Sequence, residues 1–179
     1  MDKSLVMTVI GNDRPGLVET LARTVSEHGG NWMESRMSHL AGKFAGIVRV
    51  TVADDRVSSL LETLRGEDLG GLTVIAEPGA DAPPPSATIR LELIGADHIG
   101  IIRDIAALLR QLGANVEELT SDCIDAPMSA QMLFKATVLL KLPPEVSESD
   151  LRDALEDLAS DLVVDIHVAG PVERDSSFE

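Results

Sequence analysis

One pattern in this chain occurs twice. An apolar, β-branched run, Val6-Met7-Thr8-Val9-Ile10, stops at Gly11. A polar turn follows, Asn12-Asp13-Arg14-Pro15-Gly16, and then apolar residues at helical spacing: Leu17, Val18, Leu21 and Val25. That is a strand, a tight turn and the start of a helix. The same order returns 84 residues later as Leu91-Glu92-Leu93-Ile94, Gly95-Ala96-Asp97-His98-Ile99-Gly100 and Ile101-Ile102. The offset pairs Asp13 with Asp97, Gly16 with Gly100, Gly29 with Gly113, Asn31 with Asn115 and Glu34 with Glu118. Helical periodicity alone does not repeat glycine, asparagine and acid at one spacing, so the chain reads as an internal duplication.

The rest of each copy follows from local pattern. Residues 4–11 form a strand, and the helix from Pro15 to His28 ends at Gly29-Gly30, which suits a left-handed cap. Strands are expected over 31–41 and 44–53, joined by a hairpin at Ala41-Gly42-Lys43. Asp54-Asp55 offers an N-cap for a helix carrying Val57, Leu60, Leu61 and Leu64, and 72–76 is a fourth strand. The second copy repeats this with strands at 88–95, 115–124, 130–142 and 162–168. Its helices are at 99–112 and behind Ser147 or Ser149. The prolines Pro78, Pro83, Pro84 and Pro85 mark a linker. The domains are therefore expected at 1–77 and 87–170, with a linker at 78–86 and a polar tail at 171–179. Two β-α-β-β-α-β units are the α+β, ferredoxin-like arrangement: a four-stranded antiparallel sheet with two helices on one face.

Composition narrows the function. Aromatic residues make up 2% of the 179, with no Tyr, so stacking platforms for nucleic-acid bases are not expected. The formal charge of −15 repels phosphate backbones, so no direct nucleic-acid partner is expected. One cysteine, Cys123, allows no intrachain disulfide. There is no signal peptide pattern and no apolar run of spanning length, so the expectation is a cytoplasmic protein with no membrane partner. No Gly-x-Ser-x-Gly elbow, phosphate loop or His-Glu-x-x-His occurs, so no enzyme, no cofactor and no metal are expected. His28, His39 and His167 have no metal-ligand spacing. Trp32, Met33 and Met37 read as core or interface filler.

The two turns carry the chemistry. A strand-to-helix turn presents backbone N–H groups at a positive helix end, where a carboxylate binds. Gly16 and Gly100 allow close approach, Asp13 and Asp97 are acceptors for an ammonium group, and Asn31 and Asn115 both donate and accept. Asn12, Arg14 and His98 complete the candidate ligand-binding set. Such a set suits a zwitterion. The same residues also serve structure: Asp caps helices, Gly supplies special backbone angles and Asn closes turns.

The turn, its amphipathic helix and the following Gly-(Gly/Ala)-Asn together resemble the ACT domain, a small amino-acid-sensing module. The tandem arrangement is similar to the glycine cleavage system transcriptional repressor group. Ala126-Pro127-Met128-Ser129 and Leu142-Pro143-Pro144 fit that group's pattern too. The resemblance implies an amino-acid-responsive regulator, with a small amino acid such as glycine or serine at the turns. It also implies a regulatory protein partner and a homodimer. The alternative is a ligand-free scaffold in which the modules serve only for dimerisation.

Overall fold

The computed structural model describes residues 1–66, 69–80, 88–125, 132–158 and 163–169. Its contacts divide the chain into two units, Met1–Pro83 and Pro84–Glu179. The expected linker apart from Pro78 to Ala80, the expected 125–129 connection apart from Asp125, and the polar tail lie outside the described residues.

The first module runs β1 (Asp2–Asn12), α1 (Leu17–Glu27), β2 (Asn31–Leu40), β3 (Lys43–Ala53), α2 (Val57–Gly66) and β4 (Leu72–Pro78). The sheet order is β2-β3-β1-β4, antiparallel throughout. Alternation decides its faces. Leu5, Met7 and Val9 of β1 and Val48, Val50 and Val52 of β3 are buried, and they share one core with Leu17, Leu21 and Val25 of α1 and Leu60 and Leu64 of α2. On the opposite face Ile10, Ile47 and Ile75 stay exposed. Helix α1 ends as its glycines predict. Gly29 has φ 70°, its N–H reaches Ser26 O, and Gly30 N–H reaches Val25 O, which is the Schellman pattern. His28 ties α1 to α2. Its Nδ1 lies 2.8 Å from Thr24 O and its Nε2 3.0 Å from Thr63 Oγ1, so a ring protonated at Nδ1 donates to the carbonyl and accepts from the hydroxyl.

The second module repeats the order as β5 (Thr88–Ala96), α3 (Ile101–Gln111), β6 (Asn115–Asp125), β7 (Met132–Lys141), α4 (Glu148–Leu158) and β8 (Val163–Ala169). Its sheet order is β6-β7-β5-β8, the same topology. Leu91, Leu93, Ile105, Leu109, Phe134, Val138, Leu151 and Leu155 form its core.

Three local expectations change. Asp54 and Asp55 do not cap α2; they lie in a single 3-10 turn, Asp54–Arg56, whose N-cap is Ala53 with no side-chain hydrogen bond. Pro78 ends β4 instead of opening the linker, which an edge strand tolerates because its outward N–H has no ladder partner. Of the two serines before α4, Ser147 is the cap. Its Oγ accepts from Asp150 N–H at 3.1 Å, and the Asp150 carboxylate accepts from Ser147 N–H at 2.9 Å and from its hydroxyl at 2.7 Å.

Candidate functional site

The first turn starts where β1 is pressed against β4. A Cβ on Gly11 would lie 2.8 Å from Gly71 O and 3.0 Å from Leu72 Cδ2, so only glycine fits this close pairing. Asp13 N–H then donates to Gly42 O at 3.0 Å, crossing onto the β2–β3 hairpin. Gly16 sits in the left-handed region, φ 92° and ψ −2°, with open space around its Cβ position. Glycine is needed there for the angle and leaves the ground above the turn clear. Thr20 N–H donates to Gly16 O, which begins α1. No side chain caps the helix. Asp13 therefore does not play the capping part, and among the described residues no side chain accepts from the first-turn N–H groups.

Asp13 instead faces the hairpin. Its Oδ2 is 3.6 Å from His39 Nε2. Asn12 Oδ1 accepts from Lys43 Nζ at 2.6 Å. Arg14 lies over the β4 side: a Cβ on Gly70 would sit 2.7 Å from its Nη2.

The second turn copies the backbone and changes the chemistry. Asp97 N–H donates to Met132 O at 3.0 Å. Gly100 has φ 99° and ψ 0°, Asp104 N–H donates to its carbonyl, and again no side chain caps the helix. The neighbour of Asp97 is Cys123, which lies 84 residues after His39. Burial first, then the charge and hydrogen bond of Asp97, then the charge of Asp122 push the Cys123 thiol up, although the residue is exposed overall. His98 Nδ1 lies 3.4 Å from Ile99 O, at the limit of a hydrogen bond. The Arg103–Asp104 pair, 2.9 Å apart, holds the Asp104 carboxyl below its ordinary value and raises the guanidinium.

Two expected members stand elsewhere. Asn31 pairs with Thr51, which pairs with Ser4, whereas the turn follows Asn12. Eight strand residues are roughly 27 Å, so one small amino acid does not reach Asp13 and Asn31 of the same module. Asn31 Nδ2 instead donates to Met33 Sδ at 3.3 Å. Asn115, opposite Lys141 at the far end of β6, donates to Glu117. The asparagines open the next strand, and an antiparallel sheet puts that strand's start at the end away from the turn. Sequence reasoning passed over His39 and Cys123 as turn residues. The 84-residue offset they share was the available signal. Among the described residues no group of three or more His, Cys, Asp or Glu forms a metal site, and no helix is long and apolar enough to cross a membrane.

Comparison with known proteins agrees with this architecture. The ACT domain family model matches residues 3–74. The glycine cleavage system transcriptional repressor of Escherichia coli K12 is 27% identical over 161 residues, covering 88% of this chain and 85% of that protein. A UPF0237 protein of Methanopyrus kandleri is 39% identical over 69 residues, covering 36% of this chain and 77% of that protein. Among solved structures, a protein of unknown function from Galdieria sulphuraria superposes with a TM-score of 0.80 at 26% identity, covering 94% of this chain and 99% of its own. A candidate glycine cleavage system transcriptional repressor superposes at 0.70, with 16% identity and 95% and 99% coverage, a likeness of fold. The first module is matched by the ACT domain family model, the second repeats its topology, and a repressor relative spans both, so the chain is a tandem of ACT-like folds similar to the glycine cleavage system transcriptional repressors.

Proposed function

We propose that this protein is an amino-acid-responsive regulator of transcription that acts through a protein partner. The observation that carries the reading is the pair of uncapped helix starts behind Asp13 and Asp97. Each offers backbone N–H donors to a carboxylate beside a side-chain acceptor for an ammonium group. Asn12, Arg14, Gly16, His98 and Gly100 flank these two acids in sequence and complete the proposed sites. The repressor named among the relatives supports the transcriptional role, and the charge of −15 favours an indirect route over contact with DNA. A ligand then acts by its differential affinity for two arrangements of the protein.

The test is thermal denaturation against a panel of amino acids. A ligand that binds only the native state at a hundredfold excess over its dissociation constant adds about 2.7 kcal/mol. A selective rise in Tm with glycine or serine, lost in Asp13→Ala or Asp97→Ala, supports the reading. A flat panel removes it. One observation favours the scaffold reading instead. The edge strand β6 is exposed along all of its 11 residues and β2 along most of its length, so either can pair with a second copy as a homodimer. A tight oligomer with no ligand response would establish that role.

A further inference from the structure

Strands β2 and β6 are the equivalent edge strands of the two sheets, and they are furnished differently. Both carry the same bulge, between Trp32 and Glu34 in one and between Val116 and Glu118 in the other, so Trp32 matches Val116 and Glu34 matches Glu118. In the first module Glu34 is held by two arginines, Arg36 at 2.9 Å and Arg49 at 3.4 Å. In the second, Thr120 stands where Arg36 does by the 84-residue offset. Leu139 pairs with Glu118 as Arg49 pairs with Glu34. Both cations are gone and the carboxylate remains. Among the described residues neither Glu118 nor Asp122 has an ion-pair partner.

Alternation gives β6 two unlike flanks. Glu118, Thr120 and Asp122 pair with Leu139, Thr137 and Lys135 of β7. The β7 residues between these, Phe134, Ala136 and Val138, are buried in the core, so Glu118 and Asp122 lie on the face away from the helices. Leu119 pairs with Val138 and lies on the helix side. There Val116 and Leu119 line an apolar cavity of about 40 Å³ with Ile102, Ala106 and Leu109 of α3. The apolar wall reaches the surface, for Val116 is 43% and Leu119 47% exposed. In the first module the indole of Trp32 packs against the core at this place. Between the two flanks the backbone of β6 offers its outward N–H and C=O groups to a further strand.

A second copy of the same strand fits this edge poorly. Strand β6 carries Glu117, Glu118, Asp122 and Asp125 and no Lys or Arg. In a two-fold antiparallel pairing centred on Thr120, Glu118 of one copy would face Asp122 of the other, and like charges directly opposite destabilise a sheet. We infer that β6 is a docking edge for an extended segment of a different protein, one in which basic and apolar side chains alternate. Its basic side chains meet Glu118 and Asp122 on the outer flank, in the part that Arg36 and Arg49 play in the first module. Its apolar side chains cover Val116 and Leu119 on the helix flank. Main-chain hydrogen bonds to β6 then add it to the sheet as a fifth strand. This gives the protein partner of the proposed function a surface, and it rests on the partner part of that reading and not on amino-acid binding.

A synthetic peptide of about ten residues, an ordinary strand length, with valine and arginine alternating, tests it against the full chain by fluorescence anisotropy. A peptide of the same composition, with its valines and arginines in separate blocks, controls for charge alone. The alternating peptide should bind more tightly, and amide exchange should slow at the outward N–H groups of β6 and not along β2. Glu118→Gln combined with Asp122→Asn, at exposed positions where folding tolerates the change, should weaken it by about three- to tenfold. Leu119→Gln, on the other flank, should shift it in the same direction. Circular dichroism checks that the variants fold. Equal binding of the two peptides, protection at another strand, or an affinity untouched by all the variants overturns the inference. So does protection of β6 that grows with protein concentration in the absence of peptide, which would assign the edge to a second copy. If neither peptide binds while amino acids still raise Tm, the docking edge is overturned and the regulator reading stands with its partner at another surface. If the amino-acid panel is flat as well, both fall.

Discussion

A single residue pair shows how the duplicated frame has been given two chemistries. The strand position facing the turn carboxylate is His39 in one copy and Cys123 in the other. An imidazole that gains a proton becomes an ion-pair partner for Asp13. A thiol that loses one is repelled by Asp97, so the carboxylate opposes thiolate formation. Asp97→Asn should therefore lower the thiol's titration point and speed alkylation of Cys123 by iodoacetamide at mildly alkaline pH. Rates measured for wild type and variant in urea, where the neighbourhood is lost, should coincide. Equal rates in the folded proteins would show that burial alone holds the thiol up. No such pairing is visible from residue order, because 26 residues separate Asp13 from its partner. Only the antiparallel register, which sets the β2–β3 hairpin beside the end of β1, brings them together.

At the scale of elements, what was legible was what local physics controls. The alternation of Leu5, Met7 and Val9 announced β1, and Gly29-Gly30 and Gly113 announced the helix ends, because strand faces and left-handed caps are decided within a few residues. The distance between the asparagines and the turns of their own modules was not legible, because it depends on strand direction. Helix α4 gives the cap chemistry in measurable form. Hydrogen bonds from Ser147, side chain first and backbone second, lower the Asp150 carboxyl from its ordinary value. A carboxyl lowered in the folded state contributes stability that is present above its unfolded value and lost as pH falls through the folded one. The Tm gap between wild type and Asp150→Asn should be widest at neutral pH and should close on acidification below the usual carboxylate range. Ser147→Ala, which removes the cap itself, should cost roughly 1 kcal/mol at neutral pH. A gap for Asp150→Asn that is constant with pH would remove the carboxylate from the cap.

At the scale of the whole molecule, the described residues form two cores, and cooperativity should follow from them. The residues buried together in the first module, from Leu5 to Leu72, include none of those buried in the second, from Ile89 to Val164. Each module is small enough that its own core leaves only a modest stability margin. Leu60, fully buried on the inner face of α2, is a sensitive probe, since truncating such a leucine costs about 2–5 kcal/mol. In Leu60→Ala, amide exchange should accelerate through β1–β4 while protection in β5–β8 stays at the wild-type level. The mirror variant, Leu151→Ala in α4, should do the reverse. If either change lowers protection in both modules alike, the two cores unfold as one unit. A ligand at one turn would then stabilise both modules together. If the effects stay separate, each turn reports on its own module, and the responses of Asp13 and Asp97 variants to ligand can be assigned module by module.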